Sequence, residues 1–217
     1  MPHRQAKEPT SHVFAPEETE LYNTILDLLE DAYRQQARYG VDPLLQQSTR
    51  EALLLNFAKV MNDCRAILLL VDRGFYIQAG ILARSTTDAC NMVMHIDVEG
   101  DHAPLTRPWL EGRRVTHWML VDSLKDIQLD MDAYRALRRR LDDFVHANRR
   151  ALRLYRIQLI DQASLDPTTL EKVTFWRNLV NFYLISCLLA IPMIAPAQGE
   201  KADALLEQLL RHLSLLE

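Results

Sequence analysis

Arg84, Asp88, Asn91 and His95 recur at spacings of four, three and four within FYIQAGILARSTTDACNMVMHIDV, residues 75–98. On an α-helix those spacings stack side chains on one stripe. A guanidinium, a carboxylate, a carboxamide and an imidazole in one line can pair with each other or grip a ligand. The residues around them are apolar on almost every side, so this helix reads as central and buried. Buried charges need partners or they cost stability. The stripe is therefore either a structural polar seam, with Arg84 paired to Asp88, or the wall of a site where Arg84 holds a small anionic ligand.

A second concentration of chemistry lies further on. Arg135, Arg138, Arg139, Arg140, Arg149, Arg150, Arg153 and Arg156 crowd one segment against only Asp142 and Asp143. On a continuous helix Arg139, His146, Arg150 and Arg153 share the face opposite the Leu141 stripe. Asp142 lies one turn before His146, where it can orient the ring. One reading is a solvated basic face, or one that meets the acidic first helix of the same chain or of a partner. The other is a phosphate-attracting surface in which His146 moves a proton to or from a ribose hydroxyl and Arg139 or Arg140 holds phosphate. That chemistry needs no metal.

The elements that must position these groups are helical. The 217 residues are 48% hydrophobic and 25% charged, with a net charge of −4, which suits a globular chain. Only six glycines occur. Gly40, Gly74, Gly100 and Gly199 each fall where a periodic segment stops, as at helix C-termini. Helical spacing predicts segments over residues 16–39, 46–73, 75–98, 109–127, 130–160 and 167–191, and a last short helix from residue 202. Pro192 ends or kinks the sixth of these. Residues 1–15 read as a disordered tail and 16–217 as one domain. The expected fold is an all-α bundle of six or seven helices.

Several classes are set aside by the pattern. Nucleotide-loop, zinc-protease and nucleophile-elbow motifs do not occur, and no metal set or cofactor is expected. Cys64, Cys90 and Cys187 sit in apolar helical stretches and read as reduced core residues. With no apolar core in residues 1–18, a reducing cytoplasm is the expected location. Residues 179–197 approach the length of a membrane span but carry Asn181, Ser186, Pro192 and Pro196; they read as a core helix. His95 and His117, taken singly, read as structural histidines. Trp109, Trp118 and Trp176 read as core packing.

CRAILLLVDRGFYIQAGILARSTTDA resembles a set of bacterial helical proteins with the pattern A-I-x-L-L-x-x-G-x-x-x-A-x-x-L-x-R-S-x-x-E-A. Asp88 stands where those proteins carry Glu. YRALRRRLDDFVH, residues 134–146, resembles their later Y-x-x-L-S-x-x-V-H, with longer spacing and without the Ser. Such proteins are similar to the HEPN superfamily, many of whose members are metal-independent ribonucleases of toxin–antitoxin and phage-defence systems. Their R-x(4–6)-H motif matches Arg140 or Arg139 with His146. The resemblance implies a HEPN-like bundle, a homodimer sharing its site, RNA as substrate and an antitoxin or other protein partner. A non-catalytic interaction bundle and an anionic-ligand binder stand as alternatives.

Overall fold

The computed structural model describes residues 13–39, 47–100, 103–124, 131–145 and 168–213. These form an all-α bundle, with no strand among them. The helices are α1 (Pro16–Tyr39), α2 (Gln47–Asp72), α3 (Tyr76–Glu99), α4 (Thr106–Leu110), α5 (His117–Ser123), α6 (Met131–Val145), α7 (Thr168–Ile194) and α8 (Gly199–His212).

α7 is the most apolar of these helices and has the most neighbours among them, though Leu189 remains exposed. α1, α2, α3 and α8 all pack on it, and Leu179, Val180, Tyr183, Leu184, Cys187, Leu188 and Ile191 are buried. Its segment Thr174–Ile194 is long and apolar enough to cross a membrane, yet most of it lies inside the bundle. Pro192 sits within the last turns of α7 and does not end it. Burial on one face accounts for the spacing in α1, whose Leu21, Tyr22, Ile25, Leu28 and Leu29 are buried while Asp27 and Asp31 are exposed. Cys64, Cys90 and Cys187 are free thiols in the core, and burial pushes all three above their ordinary range.

Three boundaries differ from the sequence expectation. Val13 and Phe14, assigned to the tail, are buried, and Phe14 packs edge-on against Tyr22. They anchor the start of α1, where Glu18 accepts a hydrogen bond from the Ala15 N–H at 2.8 Å, as in a capping box. The helix expected over 109–127 is two short ones, α4 and α5. Gly112 turns the chain between them at φ +70°, a conformation that favours glycine. Gly199 does not end a helix; it begins α8 with helical φ of −53°. It follows a 3-10 turn, Pro196–Gln198, where Pro196 starts the turn without needing its missing N–H.

α3 is the scaffold for the polar groups. It packs on α2 and α7 through Ala79, Ala83, Cys90 and Val93 and on α5 and α6 with the remaining side. Small residues let α7 approach closely. The Tyr183 hydroxyl donates to the Ala83 carbonyl at 2.7 Å and lies 2.8 Å from the Thr87 hydroxyl. The helix is not buried all round: Gln78, Ile81 and Ser85 form an exposed edge.

Candidate functional site

The stripe on α3 meets a matching stripe on α6. Arg84 Nε donates to Asp142 Oδ1 at 2.6 Å, Arg138 Nη1 donates to Asp88 Oδ1 at 2.6 Å, and Asn91 Nδ2 donates to the Tyr134 hydroxyl at 2.6 Å. One residue number rises as its partner's falls, so the helices run antiparallel and each contact is one turn from the next. Arg84 Nη1 also donates to Asp88 Oδ2 at 2.8 Å, which ties the first two rungs together. The result is a ladder of two guanidiniums and two carboxylates, closed at one end by an amide–phenol pair.

Burial is uneven along it. The Arg138 side chain is 5% exposed and Arg84 21%, whereas Asp88 is 45% exposed. The cations lie deep and the carboxylates form the rim. Burial disfavours the Arg84 charge, but its hydrogen bonds to Asp142 and Asp88 outweigh that and its pKa is raised. Tyr134 is raised chiefly by burial. The expected Arg84–Asp88 pair is therefore present, within a network shared by two helices. Arg84 meets carboxylates.

Other candidates fall elsewhere. His95 lies one turn beyond the ladder, buried, where its Nε2 accepts the Leu105 N–H at 3.4 Å. Burial lowers its pKa, so the ring is a neutral acceptor that fastens the chain after α3. Arg138, counted in the basic face by sequence, points inward because Asp88 is its partner. Asp142, expected to orient His146, pairs with Arg84. Arg139 is exposed and makes no ion pair among the described residues, and Arg135 pairs with exposed Asp132 at 3.2 Å. The Arg140 guanidinium sits 4.3 Å from the centre of the Phe175 ring, a cation–π contact that ties α6 to α7. His146, Arg150 and Arg153 lie outside the described residues.

Sequence reasoning missed two sets of residues. Tyr134, Arg138 and Asp142 recur at intervals of four, the same signal that marked the α3 stripe. His117 gave no signal. It stands at the start of α5, whose N-cap Thr116 accepts from the Met119 N–H, and it lies in the field of Arg138, Asp88, Arg84 and Asp142. Trp118 beside it, expected in the core, is 46% exposed; it belongs to a short helix separated by the turn at Gly112 from the one that carries Trp109.

Among the described residues no group of three His, Cys, Asp or Glu side chains is set to hold a metal. The fold and site define an all-α bundle with an ion-paired seam between two antiparallel helices. No family model, curated protein or solved structure matches the chain.

Proposed function

We propose that this chain is a nucleic-acid-directed, HEPN-like module in which the ladder holds α6 so that its basic outer side meets RNA. The observation that carries the reading is the division of the α6 arginines. Arg138 is consumed inward by Asp88, while Arg139, midway along α6, stays exposed, and the sequence after α6 brings Arg149, Arg150, Arg153 and Arg156. Arginines at such spacing suit phosphates. The activity that fits is metal-independent endoribonuclease chemistry of a toxin–antitoxin or phage-defence type. His146 would be the acid–base group, Arg139 or Arg140 the phosphate-holding residue, and a cytoplasmic homodimer the working assembly.

The test measures binding to single-stranded and structured RNA between 50 and 200 mM salt, the window in which phosphate contacts weaken strongly. R139Q/R150Q/R153Q should reduce the slope of log affinity against log salt by about two. Cleavage should persist in excess chelator and vanish in H146A, with RNA affinity nearly intact. Absence of salt-sensitive RNA binding refutes the reading. RNA binding without cleavage keeps the module and removes the enzyme.

A second reading is a non-catalytic protein-interaction bundle with a purely structural seam. It is favoured by the charge balance of Arg84 and Arg138 against Asp88 and Asp142. The same balance weighs against an anionic ligand at Arg84, since both guanidiniums already face carboxylates.

A further inference from the structure

α5 is a seven-residue helix whose main packing partner is α3. Leu120 and Val121, with Leu124 just after its last turn, are its buried anchors. His117 opens it, and the ring's Nε2 is buried with no hydrogen-bond partner. The charged groups whose field reaches the ring are Arg84 and Asp88 of α3 and Arg138 and Asp142 of α6. On α5 itself the Trp118 ring lies 4.4 Å away.

A neutral imidazole fits this setting, because the four ladder charges already balance. A charged one does not. It would be a third cation beside two guanidiniums. Both carboxylates already serve guanidiniums at 2.6 Å, so a charged ring would have to share Asp88 with Arg84 and Arg138. A cation in the first turn also opposes the helix dipole. Burial, and then the nearby Arg138, hold the His117 pKa below its ordinary 6.5.

We propose that α5 is an acid-released joint: charging His117 unseats α5 from the α3–α6 ladder while the core around α7 stays packed. The ring keeps its charge by turning into water, and a helix with three buried anchors opens at far lower cost than the whole bundle. A ring that titrates lower when seated than when released makes opening easier once the released form is charged.

Backbone amide protection in the full chain tests this at pH 7.5 and 5.0, with each value corrected for the pH dependence of intrinsic exchange. Residues 119–123 should lose protection at the lower pH, while 183–191 hold theirs. In H117Q the loss should disappear, and H117N serves if the first variant does not fold. The imidazole resonances of the wild-type chain report the titration without any substitution. Unchanged protection of 119–123 after the ring has titrated overturns the proposal. So does an equal loss in H117Q, or a parallel loss in 183–191, which is global unfolding. A gain in protection also overturns it, because it means the charged ring has captured Asp88 and tightened the joint.

Discussion

Replacing Asp88 with Ala removes the acceptor for two arginines at once, from Arg84 Nη1 at 2.8 Å and Arg138 Nη1 at 2.6 Å. The two losses differ. Arg84 keeps Asp142, and Asp88 is nearly half exposed, so water replaces much of that contact. Arg138 is 5% exposed and its Nε is already without a partner. Stranding a buried cation costs about 3–5 kcal/mol, and an exposed pair is worth about 0–1. Rim exposure of the lost carboxylate brings the expected total to about 2–3 kcal/mol. Urea unfolding at pH 7 measures it. Asp88→Ala combined with Arg138→Met should recover part of the loss, because the second change removes the stranded charge. A loss under about 0.5 kcal/mol, or no recovery in the double variant, refutes the account of the ladder.

Other outcomes follow from the same contacts. Tyr134→Phe should cost about 1–2 kcal/mol, because it leaves the fully buried Asn91 amide without its acceptor; Asn91→Leu in the same chain should reduce that cost. For His95 the unfolded ring titrates near 6.5 and the folded ring lower, so stability holds above that pH and falls as pH drops below it. His95→Gln should flatten that fall in a series of unfolding midpoints from pH 7.5 to 5. Glu18 is buried, which raises its pKa, but Arg177, the Ala15 N–H and His212 together bring it below 4.5. Its contribution is full above that value and lost as pH falls through the lower folded one, so Glu18→Gln should be destabilising at pH 7 and progressively less so below pH 4.5, by calorimetry. Gly112→Ala should cost about 1 kcal/mol in the same measurement, from backbone conformation alone, since nothing lies within 4 Å of the added carbon.

The long helices were legible because each buries a continuous face. α1 begins and ends where its apolar period does, and the all-round apolar α7 declares its own burial. The short elements were not. Nothing in the period distinguishes one helix over 109–127 from two; a single glycine conformation at Gly112 decides it. The α3 stripe was visible in its spacing, but its partner was not. Tyr134, Arg138 and Asp142 each had a local explanation, as apolar stripe, basic face and histidine orienter. Choosing among them requires knowing which helix lies opposite, and that is a tertiary fact. His117 joins the site only by packing.

The order of charges along the ladder also writes an address for α6. Slide α6 one turn one way and Arg84 faces Arg138 while Asp88 faces Tyr134. Slide it the other way and Asp88 faces Asp142. Each misplacement exchanges an attraction for a repulsion, and two like charges about 4 Å apart cost about 4 kcal/mol at an effective dielectric of about 20. A seam of leucines would tolerate either slip. This one accepts a single docking position, and so it fixes where the arginines of α6 stand relative to the rest of the bundle.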